Sequence, residues 1–352
     1  MDPAAYDFFK TILNTPSPSG YESPLQQVVR DYIGPAADEV HTDLHGNVIA
    51  VRNPGASLRV MLAGHCDQIG LIVQHIDDDG FLFVQAIGGW DPQVLVGQRM
   101  TVWGENGPVP GLIARKPIHL LTEEERKQVP KIKDLWIDIG AASKDEAALS
   151  VRVGDPATVE LHYSELLNRR AVSSAMDDKT GLWVVMEALR RIDGEQLRSA
   201  VYAVSTVQEE IGLRGARTSA FGIDPQVGVA VDVTHATDCP TIEKKEEGDV
   251  RVGKGPVVYR GPNMNPKVVE RLLQAAKEHD IPYQLGASGR ASPTDANSIQ
   301  VNRAGVAAAL VSIPNRYMHS PVELVSLDDL DHAADLLARF VEALPADVDL
   351  VP

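Results

Sequence analysis

Four apolar segments of the sequence are each followed by imidazole or carboxylate side chains, which are groups that bind divalent cations. In chain order the segments are 58–64, 201–207, 227–231 and 306–313, and the side chains that follow them are His65 with Asp67, Glu209 with Glu210, Asp232, and His319. In open α/β sheets, ligands bind beyond the carboxyl ends of the strands. If the segments are strands of one such sheet, the sequence predicts a metal site at one of its edges.

The motif His65-Cys66-Asp67 places two of these groups on one side of an extended chain. Alternate side chains share a face in extended backbone, so His65 and Asp67 point together and Cys66 points away. A histidine that binds a metal usually has its other ring nitrogen held by a carboxylate or a carbonyl. The motif predicts that Asp67 orients His65, although taken alone it is more often a surface His–Asp pair.

Two pairs of adjacent acids suggest divided roles. Asp177 and Asp178 precede a predicted helix, where acids commonly cap the helix and interact favourably with its dipole. We expect Asp178 to be structural in this way and Asp177 to bridge two cations. Glu209 and Glu210 directly follow an apolar segment, where two charges are costly unless something pairs with them. Because neighbouring side chains point apart in extended chain, one glutamate can bind metal while the other faces the substrate.

These groups together fit a site for two divalent cations with one shared carboxylate. The predicted ligands are His65, Asp177, Glu210, Asp232 and His319. Imidazole and carboxylate groups without thiolates favour zinc, and they also suit cobalt or manganese. Such a pair activates water and polarises a carbonyl, and a free carboxylate must then carry the proton of the water to a leaving amine. We assign that role to Glu209, and we treat His235 and Asp238 as weaker candidates for ligands.

Helices are predicted between the apolar segments. The helical stretches are 5–13, 22–33, 181–192, 266–279 and 327–344, and residues 40–51 predict two strands turned around His45-Gly46-Asn47. Short, uniformly apolar strands between helices favour an α/β fold whose sheet is covered on both faces.

Residues 69–166 follow a different pattern. They are rich in Val, Gly and Pro, and they contain short alternating segments at 81–86, 98–103, 135–139 and 157–161. Turn signals such as Asp79-Gly80 and Asn106-Gly107 separate these segments. The pattern predicts a small β-barrel-like domain at 69–166, inserted into a catalytic domain of residues 1–68 and 167–352. A charged stretch at 123–133 predicts an exposed loop or a short helix.

Length and composition limit the class of protein. With 352 residues the chain is long enough for two domains. The formal net charge of −16 disfavours a nucleic-acid-binding protein, which is normally basic. Two cysteines provide no disulfide framework. The first residues lack a signal-peptide pattern and no apolar run could span a bilayer, so we expect a cytoplasmic protein with neither a nucleic-acid nor a membrane partner.

Longer motifs around these residues resemble those of metallopeptidase family 42, which comprises the glutamyl aminopeptidases and the tetrahedral (TET) aminopeptidases. The motifs stand in the order of the family and are GHCDQIG at 64–70, MDDKTG at 176–181, QEEIGLRGA at 208–216, VDV at 231–233, PTDA at 293–296 and IPNRYMHSPVE at 313–323. The resemblance implies a metal-dependent aminopeptidase acting on short peptides. It also implies a mixed sheet of the zinc-peptidase type, covered by helices.

The resemblance further implies a division of the ligands between two metals. His65, Asp177 and Asp232 would hold one metal, and Asp177, Glu210 and His319 would hold the other. Glu209 would be the base and Asp67 would orient His65. In this family the inserted domain usually mediates dimer contacts, and dimers commonly assemble into a hollow tetrahedral dodecamer. We therefore expect a homo-oligomer, either a dimer or a dodecamer.

The sequence departs from the family pattern at three positions. Gln68 stands where Glu is usual, Lys179 where Arg is usual, and Pro293 where Gly is frequent. None of the three is a predicted ligand. Gln68 and Lys179 lie beside ligands in the sequence, so metal preference and rate could differ from those of relatives.

Two other functions fit the same ligand set. One is a dinuclear-metal hydrolase of another amide, such as a deacylase, and the other is a scaffold that binds metal without turnover. The intact Glu209 argues against the scaffold. A pocket for acidic side chains would need a nearby cation, for which Lys254, Arg260 and Arg290 are candidates, and residues 286–293 are a candidate pocket wall.

Overall fold

Seventeen strands and eleven α-helices make up the chain in a computed structural model, which describes residues 1–352. The helices are α1 (Pro3–Asn14), α2 (Ser23–Ile33), α3 (Pro92–Leu95), α4 (Glu123–Arg126), α5 (Lys144–Ala148), α6 (Met176–Arg191), α7 (Arg214–Ile223), α8 (Lys244–Glu247), α9 (Pro266–Glu278), α10 (Asp295–Gln300) and α11 (Leu327–Glu342). No helix combines the length and the apolar character needed to cross a membrane.

The strands divide into a large sheet, a small sheet and a barrel. They are β1 (Glu39–Thr42), β2 (Val48–Arg52), β3 (Arg59–His65), β4 (Gly70–Ile76), β5 (Leu82–Ile87), β6 (Arg99–Gly104), β7 (Gly107–Ala114), β8 (Trp136–Asp138), β9 (Pro156–Val159), β10 (Ser164–Leu166), β11 (Arg170–Ser173), β12 (Ala200–Thr206), β13 (Val227–His235), β14 (Val257–Arg260), β15 (Gln284–Ala287), β16 (Ala307–Asn315) and β17 (Glu323–Ser326).

Local sequence signals set where the helices begin. The Asp2 carboxylate accepts a hydrogen bond from the Ala5 amide at 2.9 Å, and Pro3 occupies the first turn of α1. Asn265 and Pro266 start α9 in the same way. A polar cap satisfies amides that have no partner within the helix, and proline is tolerated there because its missing N–H would have been unpaired.

The large sheet has eight strands in the order β1-β2-β12-β3-β13-β16-β14-β15. Its four central strands, β12, β3, β13 and β16, are parallel to one another. The outer pairs β1–β2, β2–β12 and β14–β16 are antiparallel, which makes the sheet mixed. The carboxyl ends of the central strands consequently meet at one edge.

Two glycines show that helices cover both faces of this sheet. A side chain at Gly64 would lie 2.5 Å from the backbone of Gly181 in α6, and one at Gly228 would lie 2.4 Å from Ile299 in α10. The register pairs Gly228 with Met61, which is an odd number of residues from Gly64, so the two glycines face opposite sides. Helices α6 and α10 therefore approach the sheet closely from opposite faces.

The barrel is closed and antiparallel, with the strand order β4-β5-β8-β7-β6-β9. A cluster of 15 buried hydrophobic residues fills it, separate from the cluster of 66 that surrounds the large sheet. The small sheet, β10-β11-β17, joins residues 164–173 to residues 323–326. The fold is thus a mixed α/β sheet covered by helices together with a six-stranded β-barrel, as the sequence predicted.

The element predictions were correct for six strands of the large sheet, missed its strands β14 and β15, and were incomplete for the barrel. The four apolar segments are strands β3, β12, β13 and β16, and residues 40–51 contain the antiparallel pair β1 and β2. Strands β4 and β7 of the barrel were not predicted. The charged stretch at 123–133 contains the short helix α4.

Candidate active site

The carboxyl edge of the four central strands brings the predicted ligands together. His65 ends β3, Asp232 lies in the carboxyl-terminal half of β13, and Glu209 and Glu210 follow β12. Asp177, at the start of α6, lies between two imidazoles. Its Oδ1 is 3.2 Å from His65 Nε2, and its Oδ2 is 3.3 Å from His319 Nε2. The two oxygens of one carboxylate therefore face two different histidines.

Two groups of potential ligand atoms share His65. The atoms of His65, Asp177 and Glu210 all lie within 4.8 Å of one another, and so do those of His65, Asp178 and Asp232. His319 Nε2 lies 3.6 Å from Glu210 Oε2, whereas Glu210 Oε1 is buried without a hydrogen-bond partner. Imidazole and carboxylate groups at these distances, with a buried oxygen left free, fit divalent cations such as zinc, cobalt or manganese.

Asp178 is close to the same atoms but is otherwise engaged. Its Oδ1 accepts from the Gly181 amide at 3.0 Å, and its Oδ2 accepts from the His65 amide at 3.2 Å. The first of these bonds is a helix cap, because the backbone at 177 and 178 is not helical and the regular helix starts after it. Asp177, whose carboxylate accepts from no backbone amide and lies beside two imidazoles, is the better placed of the two to bind cations.

The charges at this edge are perturbed by burial and by one another. Burial and the neighbouring Asp177 raise the pKa of Asp232 to about 8. Burial also raises the pKa values of Glu209 and Glu210 well above the ordinary range. The hydrogen bond with Asp177 raises the pKa of His319 to about 9. Carboxylates in such a setting repel one another, and bound cations would relieve that repulsion.

Asp67 fixes the turn that carries the two glutamates. Its Oδ1 accepts from the Glu209 amide at 3.0 Å, and its Oδ2 accepts from the Glu210 amide at 3.2 Å and from the Ser19 hydroxyl at 2.6 Å. His65 Nδ1 lies 3.0 Å from the Asp67 carbonyl and 3.5 Å from its carboxylate. The backbone carbonyl of Asp67 is thus the closer partner of His65, while its carboxylate positions Glu209.

Two more side chains hold the preceding residues of the same turn. Asn47 Oδ1 accepts from the Val207 amide at 3.0 Å, and Glu22 Oε1 accepts from the Gln208 amide at 3.2 Å. Gln208 has a positive φ of 54°, which is uncommon outside glycine and needs support from its surroundings. Four successive amides, from Val207 to Glu210, therefore donate to side chains from distant parts of the chain.

Glu323 connects the two segments that present Asp177 and His319. Its Oε2 accepts from the Asp177 amide at 2.9 Å, and its Oε1 accepts from the His319 amide at 2.7 Å. The side chain is buried, and burial next to Asp177 raises the pKa of Glu323 to about 8. Sequence reasoning missed this role, because nothing in the sequence shows that positions 177 and 323 are neighbours.

Asp295 is another buried carboxylate at this edge without a predicted role. Its Oδ2 accepts from the Thr206 hydroxyl at 2.6 Å, while its Oδ1 is buried without a partner. Burial raises the pKa of Asp295 to about 6. The only sequence signal for it was its place in the PTDA motif.

One loop of the barrel also reaches the site. Gly88 and Gly89 follow β5, and a Cβ at Gly88 would lie 3.2 Å from Glu210 Oε2, while one at Gly89 would lie 3.3 Å from His319 Nδ1. Gly88 has a φ of 73°, which disfavours other residues. The loop therefore packs its backbone directly against two predicted ligands.

Known proteins match this chain over most of its length. A model of the M42 glutamyl aminopeptidases matches residues 46–336. The lysyl aminopeptidase of Pyrococcus furiosus is 41% identical over 345 residues, which cover 96% of this chain and 97% of that protein. The chain belongs to the M42 glutamyl aminopeptidase family.

Solved structures of TET peptidases have the same fold. The TET aminopeptidase of a marine-sediment Thaumarchaeota archaeon superposes with a TM-score of 0.92 at 38% identity, covering 97% of this chain and 96% of that one. The Pyrococcus horikoshii TET1 peptidase, which can assemble into a tetrahedron or a large octahedral shell, gives 0.86 at 31% identity and covers 97% of this chain and all of that one.

Gln68 and Lys179, two of the three positions that depart from the M42 pattern, contact each other in this chain. Lys179 is fully buried, and its Nζ donates to Gln68 Oε1 and to the Thr15 carbonyl, each at 2.7 Å. Burial lowers the pKa of Lys179 to about 7. The Gln68 side-chain amide and the Thr15 carbonyl both accept from the lysine, so the two departures at positions 68 and 179 lie in direct contact.

A cavity of about 590 Å³ opens beside the predicted ligands of this M42 chain. Its lining includes His319, Glu209 and Asp232, and a wall of neutral side chains made up of Tyr259, Met264, Leu310, Met318, Thr234, Ser288 and Ser292. Ser288, Ser292 and Pro293 belong to the predicted wall at 286–293. Lys254, Arg260 and Arg290 do not line the cavity, so the hypothesis of a cationic pocket for acidic side chains lacks support. His235 lines the cavity but, unlike His319, forms no ion pair with the acidic predicted ligands.

Proposed function

We propose that this chain is an aminopeptidase that removes N-terminal residues from short peptides with two divalent cations, held by His65, Asp177, Glu210, Asp232 and His319. The observation that carries the proposal is the placement of the two Asp177 oxygens against two imidazoles at 3.2 and 3.3 Å. Zinc is the metal that we expect, since the ligand set contains imidazoles and carboxylates only. When bound, such cations lower the pKa of a water and polarise a carbonyl.

Glu209 is the base in this proposal. Its Oε2 lies 3.7 Å from His65 Nε2, it lines the cavity, and it is not needed to complete the ligand set. Burial raises the pKa of Glu209, so its carboxylate is a better proton acceptor than an exposed glutamate would be. The same group can then deliver the proton to the leaving amine. Asp67 keeps Glu209 in place by accepting from its amide.

A hydrolysis screen tests the activity. Purified protein is assayed on aminoacyl chromogenic substrates with and without zinc, cobalt or manganese, and on an N-acetylated peptide as control. We expect metal-dependent release of free N-terminal residues with the blocked peptide left intact. Hydrolysis of the N-acetylated peptide alone would instead indicate a deacylase, and a metal-loaded protein inactive on every substrate would indicate a scaffold.

We propose further that residues 69–166 form a separate inserted domain through which copies of the chain associate. The barrel has its own buried core, and its surface exposes large apolar side chains at Ile118, Leu120 and Val129. The assemblies of the Pyrococcus horikoshii TET1 peptidase support an oligomer. Light scattering after gel filtration tests this, since a monomer has a mass of 38.1 kDa and a dimer or dodecamer a multiple of it.

A further inference from the structure

A second cavity continues the active-site cavity on one side. It has a volume of about 630 Å³, and it shares Gly212, Leu213 and Asn297 with the first cavity. These shared residues lie directly after Glu209 and Glu210 or at the start of α10. We call this second cavity the α7 groove, since α7 supplies Arg217, Thr218 and Phe221 to its lining. A peptide bound beside Glu209 could extend past these shared residues into the groove.

The α7 groove differs in charge from the rest of the site. Its lining contains two arginines, Arg217 and Arg303, and no carboxylate. This is unusual for a chain with 49 acidic and 33 basic residues, and it contrasts with the acidic edge beside it. A groove of this charge favours an anion.

The two arginines are not equally available. Arg303 donates to the Phe221 carbonyl, lies 3.5 Å from Asp224, and stacks 4.0 Å above the Phe221 ring. Arg217 is exposed, and its guanidinium has no ion pair and no hydrogen bond within the chain. Its backbone is fixed, since Asn302 Nδ2 donates to the Arg217 carbonyl at 2.9 Å. Arg217 is therefore the cation of the groove that can take a ligand.

The position of Arg217 suits the end of a short peptide. Leu213 lines both cavities, and Arg217 lies four residues after it, or about 6 Å along a helix axis at 1.5 Å per residue. Two residues of extended peptide span about 7 Å, so a peptide that passes Leu213 reaches the level of Arg217 within about two residues. A guanidinium binds a carboxylate through two parallel hydrogen bonds, which makes it the side chain best suited to this group.

We propose that the α7 groove binds the part of the substrate that leaves, with Arg217 holding the C-terminal carboxylate of a di- or tripeptide. This inference rests on the proposed aminopeptidase function and adds to it the class of substrate, namely very short peptides with a free carboxyl terminus. Asn297, which lines both cavities, lies along the path from one to the other.

The test compares peptides that differ only at the carboxyl terminus. Dipeptides and tripeptides with the preferred N-terminal residue are assayed as free acids and as C-terminal amides, beside an aminoacyl chromogenic substrate that has no carboxylate. In the wild-type protein we expect kcat/KM to be about tenfold or more higher for the acids than for the amides, mainly through KM. Arg217→Met should remove this preference and leave the amides and the chromogenic substrate unchanged.

Three further variants test whether the preference for free acids depends on Arg217 itself or on any nearby positive charge. Arg217→Lys should keep part of the preference, Arg303→Gln should keep most of it because that arginine is already engaged, and Arg271→Met on α9 should keep all of it. Equal rates on acids and amides in the wild-type protein would overturn the inference while leaving the aminopeptidase proposal intact. A uniform loss on all substrates in Arg217→Met would also overturn it. Failure to hydrolyse any of the substrates would overturn the aminopeptidase proposal itself.

Discussion

The carboxyl edge of the large sheet and the interior of the barrel are both buried, but they bury different groups. The sheet edge buries the carboxylates of Asp67, Asp177, Asp178, Glu209, Asp232, Asp295 and Glu323. The barrel interior is formed by 15 hydrophobic side chains, and its one buried carboxylate, Asp155, accepts from the Arg152 amide at 2.8 Å.

The difference indicates that the barrel interior contributes mainly to stability, whereas the sheet edge carries the groups proposed to bind metal and transfer protons. Burying apolar surface stabilises a fold by about 25 cal/mol per Å². Burying carboxylates next to one another costs free energy, and the raised pKa values of Glu209, Asp232 and Glu323 are the direct expression of that cost. Substitutions at the sheet edge should therefore change activity more than stability, and substitutions in the barrel should do the reverse.

Glu209→Gln should have the largest effect on activity. It removes the proton acceptor but no predicted ligand, so we expect kcat to fall by roughly 10²- to 10⁴-fold with both metals retained, as measured by kinetics and elemental analysis. The unfolding midpoint of the metal-free protein should not fall, because burial already disfavours the charged form of Glu209 and glutamine has nearly the same shape without that charge. His319→Ala is the matched control and should lose one metal. Nearly full activity in Glu209→Gln would show that another group is the base.

Glu323→Gln should have the next largest effect. Each carboxylate oxygen of Glu323 accepts from one amide, that of Asp177 or that of His319, and a glutamine would place an NH₂ group against one of these donors. We expect a loss of about 10- to 100-fold in metal affinity or activity, as is usual for groups that orient ligands. Metal titration and kinetics measure this, with the exposed Glu270→Gln as control. An unchanged metal affinity together with an unchanged kcat would rule out the positioning role.

The sequence predicted the parts of the site that depend on local pattern and strand direction. Apolar segments 58–64, 201–207, 227–231 and 306–313 could be assigned as strands, and parallel strands must end at the same edge, so the polar residues after them could be placed together. The predicted ligands lie together in the structure as a result. Their assignment to individual metals remains a prediction.

The remaining features depend on contacts that no local pattern encodes. Glu323 is 146 residues from Asp177, and Glu22 is 186 residues from Gln208, so their roles follow only from the folded chain. Strand β7 was missed because Pro108, Pro110 and two glycines give it a low strand propensity. Closure of the barrel, in which β7 pairs with both β6 and β8, overrides that propensity.

Glu22→Gln should have a small effect on activity and a pH-dependent effect on stability. Glu22 Oε1 accepts from both Gly20 and Gln208, and a glutamine oxygen can replace it, so we expect kcat within about threefold of wild type. Burial raises the pKa of Glu22 from 4.5 to about 7. Between these values the native state holds a proton that the unfolded state has released, so wild-type stability falls as pH rises through that range.

The variant lacks this titration and should gain stability relative to wild type between pH 5 and pH 7, by an amount on the order of 2 kcal/mol. Thermal unfolding of the metal-free proteins at several pH values measures the difference, with Glu270→Gln as the exposed control. A stability difference that does not change with pH would contradict the raised pKa. Glu22→Ala, which removes the acceptor, should lower kcat more than Glu22→Gln.

Ile137→Ala should have the smallest effect on activity although it has the largest on stability. Ile137 is fully buried in β8, between Leu82 and Ile113 of the neighbouring strands, and shortening such a side chain costs about 2–5 kcal/mol. Leu149→Ala, at an exposed position of the same region, should change stability by less than about 0.5 kcal/mol. Denaturant unfolding measures both, and kcat of the folded protein should be the same in all three.

The loop between the barrel and the sheet edge is where a loss of stability in one region is most directly able to change the chemistry of the other. Gly88 and Gly89 extend from β5 of the barrel to Glu210 and His319, so a loosened barrel could shift the ligands through that loop. An unchanged kcat in Ile137→Ala would mean that the hydrogen-bonded strands of the closed barrel keep the loop in place despite the lost packing. A lower kcat in proportion to lost stability would mean instead that barrel packing sets the ligand geometry, and the division between a region for stability and a region for chemistry would fail.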